Sequence, residues 1–314
     1  MSFSPFAPRA HRPLAVLIAT MAGLAVFSLV ALLVDDRLLM GQPVWTKPLK
    51  FALSTLLYSV SMSWVLSRVT RFRRVADAAA TVFVVSFLVE LAWITWSAAR
   101  GRMSHFGVGT PLESVLYQVA GVIGVVVWIM SAIVCVALVL SATEDRAQVW
   151  SMRAGMLIAL AGMAVGGLMT SPTPEQLAGP ADLRGGHSVG VADGGAALPL
   201  LGWSTEGGDL RIPHFVGMHA LQVLPLVLAA LRLAGRRLPA LRRPEVELQL
   251  VLIASAGYAA LLGLLLWQAL RGQSIVSPDG LTAAAGAAAV ICLGAATAAV
   301  VLRAGRGTKT VPVG

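Results

Sequence analysis

The stretch 114–141, SVLYQVAGVIGVVVWIMSAIVCVALVLS, carries no charged residue along its whole length. A helix rises about 1.5 Å per residue and needs about 20 apolar residues to cross some 30 Å of hydrocarbon. This run is long enough to tilt or to extend past the bilayer. Working outward, seven more runs of suitable length occur at 13–34, 49–69, 78–98, 154–170, 213–233, 248–269 and 280–302. The one at 154–170 is the shortest. The expected fold is therefore an all-α integral membrane protein, a bundle of about eight transmembrane helices.

Composition agrees. The 314 residues are 57% hydrophobic and only 12% charged, half the charged content of an ordinary soluble domain, about 25%. The first run is longer than the apolar core of a secretory signal and is followed by Asp35-Asp36-Arg37 rather than a small-residue cleavage site, so it reads as a retained span. Cys135 and Cys292 lie in apolar runs with no CxxC, which suggests neither a disulfide framework nor a thiolate metal site.

The net charge of +9 is explained by topology rather than by nucleic acid. Sixteen Lys and Arg fall on one side of the expected bundle, from Arg9 and Arg12 through the clusters 71–74 and 236–243 to Arg303, Arg306 and Lys309. Eight fall on the other: Arg37, Lys47, Lys50, Arg100, Arg102, Arg184, Arg211 and Arg271. By the positive-inside rule both termini are expected in the cytoplasm of a bacterial cell, the chain being multi-pass in the cytoplasmic (inner) membrane. The lipid bilayer is then its first partner. The long segment 171–212 is an outer loop, rich in Gly and Pro, whose Leu198-Pro199-Leu200-Leu201 and Trp203 could fold back over the bundle.

The polar residues segregate toward that outer side. Glu90 stands within the third span, about eight residues or roughly 12 Å from its outer end. Ser86, Glu90, Trp93 and Ser97 share a helical face, and an ionisable group at such depth needs a partner and points to function. The stretch GGDLRIPHFVGMHALQVLP (207–225) opens the sixth span with Asp209, Arg211, Pro213, His214, His219 and Gln222. Pro213 suits a first helical turn, and Pro225 is expected to kink the helix. The spacing of His214 and His219 places them about 140° apart, so they are not a chelating pair on one helix face. His105 and His187 lie in outer loops, the latter six residues before Asp193. Lys47 and Lys50 flank Pro48 at the mouth of the second span, and Gln118 stands in the outer part of the fourth. Gly162 and Gly166 form a GxxxG suited to close helix packing. KPLKF (47–51) and IPHF (212–215) both open a helix with Pro, which makes a 4+4 internal repeat conceivable. No Walker A, dinucleotide fingerprint or CxxCH is present, and no Lys lies deep in the last two spans.

The phrases WTKPLKFALS (45–54), RGRMSHF (100–106), GGHSVG (185–190) and GDLRIPHFVGMHALQVLP (208–225) resemble a family of bacterial polytopic integral membrane proteins to which no activity is attached. The chain is also similar in outline to membrane-embedded hydrolases of the ceramidase and progestin-receptor-like type, which use a His/Asp zinc site, although it lacks their HxxxH pair.

The leading expectation is an outer-face site, metal-dependent and acting on a lipid or other amphipathic substrate. His105, His187, His214 and His219 form the pool of ligands for a divalent metal such as zinc. Glu90, His219 and Asp209 are the catalytic candidates. Lys47, Lys50, Gln118, Asp193, Arg211 and Gln222 are candidates for holding substrate, with the three cations facing an anionic headgroup. The alternative is a proton- or ion-coupled transporter using Glu90 and His219. A haem or quinone redox protein ranks below both.

Overall fold

The computed structural model describes residues 11–142, 144–178 and 182–306. Arg9 and Lys309 of the charge comparison lie outside them. The described chain is mostly helical, with almost no sheet. Seven helices are long and apolar enough to cross a membrane: α1 (Arg12–Val34), α2 (Thr46–Arg68), α3 (Arg73–Ala99), α4 (Pro111–Val139), α5 (Arg146–Thr170), α9 (Pro244–Leu270) and α10 (Gly280–Arg306). A bent pair, α7 (Arg211–Met218) and α8 (Ala220–Ala234), meets the same criterion only as a unit. A short helix α6 (Pro174–Ala178) lies in the long loop. The only strands among the described residues are two-residue antiparallel pairs. β1 (Leu38–Leu39) pairs with β2 (Gln42–Pro43), and β3 (Ser188–Val189) with β4 (Gly208–Asp209). This architecture fits an all-α, multi-pass membrane protein.

Helix boundaries follow from local chemistry. α4 begins with a capping box. The Glu113 N–H donates to the Thr110 hydroxyl, the Glu113 carboxylate accepts from the Thr110 N–H, and Pro111 fills the first position. α5 starts at an Asp145 cap that accepts from the Gln148 N–H. It is thus 25 residues long rather than the shortest span. The apolar criterion had clipped its first two turns, where Arg146, Gln148, Ser151 and Arg153 are polar but helical.

α5 is the hub of the bundle, packing on α4, α7, α8 and α9. Two devices make this possible. A Cβ built on Gly162 would come within 2.6 Å of the Gly217 Cα, so the α5 and α7 backbones touch there, as the GxxxG pattern predicts. Gly155 meets the α8 backbone in the same way, 2.9 Å from the Leu221 Cα. The principal core joins the fully buried Leu14, Leu17, Met62, Phe83, Met152 and Leu221, from α1, α2, α3, α5 and α8. Large apolar side chains elsewhere, such as Phe27, Val122, Leu157 and Ile291, face outward, as lipid contact requires. α10 is peripheral and leans on α9.

One expectation is corrected. The sixth span bends by 47°, but the break is at His219, not at Pro225. His219 leaves helical geometry with φ −77° and ψ −2°, immediately after Gly217 is pressed onto Gly162. Pro225 sits inside α8, fully enclosed by its neighbours. The bend is set by this tertiary seat and not by the proline ring alone.

Candidate functional site

The helices enclose one large cavity of about 470 Å³, a size typical of small-molecule sites. It reaches the end of the bundle that carries the 100–110 and 182–210 segments, where His105, Phe106 and His187 line it. Its inner walls are apolar and aromatic: Phe51 and Tyr58 from α2, Phe83 and Phe87 from α3, Trp128 from α4 and Met163 from α5. Its polar lining comprises Lys47, Glu90, His105, His187, Arg211, His214 and His219. Seven of the residues singled out from the sequence thus line one space, though they come from three helices, a helix break and two loops.

His105 is the centre of a linear array. Its Nε2–H donates to Glu90 Oε1 at 2.8 Å. Its Nδ1 accepts from Lys47 Nζ at 3.0 Å and lies 2.9 Å from the Ser104 hydroxyl. The loop is anchored by Trp93, whose indole N–H donates to the Ser104 carbonyl at 2.7 Å. Glu90 is 8% exposed, and its Oε2 has no hydrogen-bond partner among the described residues. Burial, and then the Lys47 charge, push the His105 pKa below its ordinary value. The imidazole is therefore neutral at pH 7, consistent with its role as donor to Glu90 and acceptor from Lys47.

The other three histidines share a different arrangement. His187 Nδ1–H donates to Asp193 Oδ2 at 3.1 Å, His214 Nδ1–H to the Gly162 carbonyl at 2.8 Å, and His219 Nδ1–H to Gln222 Oε1 at 3.1 Å. Each bond fixes the Nδ1–H tautomer and leaves an Nε2 lone pair, with no hydrogen bond to another described residue. Gln222 in turn donates from Nε2 to the Ser61 hydroxyl at 2.9 Å, tying the helix break to α2. Gly166 gives His214 its room, since a Cβ there would stand 3.2 Å from the imidazole. Burial lowers the His187 pKa as well, against the opposing pull of its Asp193 hydrogen bond. Burial alone would raise Asp193, but bonds from His187 and Ser188 outweigh it, and the carboxyl is held well below its ordinary range.

Several expected roles are not met by this geometry. Among the described residues no group of three or more His, Cys, Asp or Glu is placed to hold a metal ion. The four histidines surround the cavity without converging, and both His105 nitrogens are already engaged. Lys50 and Arg211 are spent on closing the loop and do not form a free cationic pair. Lys50 donates to the Leu201 carbonyl at 3.0 Å. Arg211 is paired with Asp209 at 2.6 Å and also reaches the Gly202 carbonyl. Asp209 is 1% exposed, is further bonded by the Ser204 N–H, and does not line the cavity. Its place is structural, holding the loop end onto α7. Asp193 and Gln222 orient histidines from outside the lining, and Gln118 lies exposed on α4, away from the cavity.

The apolar wall was not singled out from the sequence. Phe83 and Phe87 are four residues apart on one helix face, and Phe51 and Tyr58 seven apart on another. That spacing is what any core face shows. Comparison with protein-family models, with curated proteins and with solved structures finds no match to this chain, so the assignment rests on the geometry of the cavity itself.

Proposed function

We propose that the protein takes an amphipathic small molecule or lipid into this cavity and carries out proton-assisted chemistry on its polar end. The observation that carries the reading is the split character of the walls. Aromatic and aliphatic side chains line the inner part, while Lys47, Glu90, His105 and His187 gather at the loop end and His214 and His219 follow along the wall. A chain-bearing molecule would bury its tail among Phe83, Phe87 and Trp128 and present its head to these groups. Three imidazoles with open Nε2 atoms supply proton acceptors. The Lys47–His105–Glu90 array supplies a path for a proton along two short hydrogen bonds. We place the chain in the cytoplasmic membrane of a bacterium with both termini inside, on the strength of its basic segments. Metal dependence is not part of this reading, because the donor set does not converge.

The test is a cavity-narrowing substitution. Gly124 lines the cavity at an exposed position on α4, and a Cβ there meets nothing within 4 Å. Gly124→Leu should therefore be accommodated without a clash and narrow the cavity from its α4 edge. A fatty probe carrying a diazirine should label cavity residues in the wild type, and that label should fall in the variant.

A second reading, a proton-coupled carrier, is favoured by one specific observation, the 47° break at His219 inside the bundle. Broken helices recur at transporter binding sites. Proton flux into liposomes that falls in Glu90→Gln, with no turnover of any amphiphile, would move the assignment to this reading.

A further inference from the structure

We propose that Lys47 is an amine nucleophile, activated by His105, that condenses with the carbonyl group of an apolar aldehyde or ketone to form an imine. The inference rests on the cavity reading above and names its substrate class.

Three observations carry it. The first is geometric. A nucleophile, a base and an orienting group stand in line, with Lys47 Nζ 3.0 Å from His105 Nδ1 and His105 Nε2 2.8 Å from Glu90. This is the general form of an activated nucleophile, in which the base within reach is itself held by a third group. The second is the company Lys47 keeps. Arg211 is neutralised by Asp209, and Lys50 is turned to a loop carbonyl. Lys47 has three N–H donors, and His105 is the one hydrogen-bonding partner it has among the described residues. The third comes from residue choice. The chain has 24 Lys and Arg, of which only Lys47, Lys50 and Lys309 are lysines. Its basic anchors are arginines almost throughout. An arginine cannot give up its proton and act as a nucleophile, whereas a lysine can.

The step balances. His105 Nδ1 takes a proton from the Lys47 ammonium, while its Nε2–H stays bonded to the Glu90 carboxylate. The neutral amine adds to the carbonyl carbon, and the oxygen receives the proton back from His105 to give a carbinolamine. Loss of water forms the C=N bond, and hydrolysis reverses it and returns the free amine. An ester or other acyl donor would instead leave Lys47 permanently amidated. A carbonyl compound is therefore the class that allows turnover. The aromatic inner wall suits a hydrocarbon chain and limits water at the imine.

The test uses the full-length protein in mild detergent, with decanal as probe and sodium cyanoborohydride to reduce any imine to a stable secondary amine. Intact mass and peptide mapping locate the adduct. The expected result is one saturable alkyl adduct at Lys47, formed roughly a hundredfold faster than at Lys50 or Lys309, the size of effect one positioned base supplies. His105→Gln keeps an acceptor facing Lys47 but cannot take its proton, and its adduct rate should fall to that of Lys50. Lys47→Arg should abolish the fast adduct while retaining diazirine labelling of the cavity, which separates loss of chemistry from loss of fold. Equal labelling of all lysines, or an unchanged rate in His105→Gln, overturns the proposal. If diazirine labelling of the cavity succeeds and Lys47 stays unreacted, the imine falls and the cavity reading stands. If both fail, both fall.

Discussion

Gly162→Ala is the substitution whose effect the structure sizes most directly. The new Cβ would lie 2.6 Å from the Gly217 Cα and 2.7 Å from the Met218 backbone nitrogen. Non-bonded carbons prefer about 3.5–4.0 Å, so α7 must retreat by about 1 Å. Neither contact is with a flexible side chain, and no rotamer change relieves it. Overpacking of this kind costs about 1–3 kcal/mol. The retreat also stretches the His214 bond to the Gly162 carbonyl, now 2.8 Å, worth about 1 kcal/mol. The better helix propensity of alanine returns up to about 1 kcal/mol. The net expectation is a loss of about 1–3 kcal/mol. Gly263→Ala is the control, because a Cβ there meets nothing within 4 Å. It should be neutral or stabilising by up to about 1 kcal/mol. Unfolding of both variants in mixed detergent and dodecyl sulfate, followed by tryptophan fluorescence, measures the difference. A Gly162→Ala protein within about 0.5 kcal/mol of wild type would refute the close seat of α5 on α7 and with it the placement of His214.

Other consequences follow from the same geometry. Arg211→Met leaves the enclosed Asp209 carboxylate without its partner, and breaking a buried pair this way costs about 3–5 kcal/mol; limited proteolysis should then cut segment 196–210 faster than in the wild type. The pH dependence has a definite sign. His105 and His187 both have folded pKa values lowered from 6.5, so folding opposes their protonation. The penalty is absent above about 6.5 and grows as pH falls below it, and hydrogen exchange in segments 100–110 and 183–193 should accelerate in that window. Asp193 acts in the same direction at lower pH: its lowered pKa contributes stability above its ordinary value of 3.8, lost as pH falls further. Gln222→Leu removes the bond to His219 and the link to Ser61; hydrogen exchange of α8 should rise while that of α10, which touches neither, stays unchanged.

Much of the fold was legible because the bilayer imposes a length that the sequence must display. Each expected span overlaps a helix of the structure, and most boundaries differ by only a few residues. The misplaced start of α5 has a simple cause, since hydropathy measures apolar content and Arg146 and Arg153 are helical without being apolar. The site was legible in part. Glu90, His105, His187, His214 and His219 stand out because ionisable groups are rare and costly beside hydrocarbon. Their pairing was not legible. Nothing in the order of residues says that His105 meets Lys47 and Glu90 while His187 meets Asp193, because partners from different helices are chosen by packing. Asp209 and Arg211 were read as site residues, yet their two-residue spacing lets them pair with each other and clamp the loop. The aromatic wall was hidden for the opposite reason, because Phe83, Phe87 and Trp128 look like any apolar core until the space beside them is known.

The central claim is that an amphipathic molecule enters the cavity, and diazirine photolabelling by a fatty probe tests it most directly. In the wild type the account predicts label on Phe83, Phe87 and Met163 as well as on outward-facing positions such as Val122 and Leu157. In Gly124→Leu the label on the first three should fall while that on Val122 and Leu157 persists. Label confined to the outward-facing positions in the wild type, or unchanged at Phe83, Phe87 and Met163 in the variant, would contradict it.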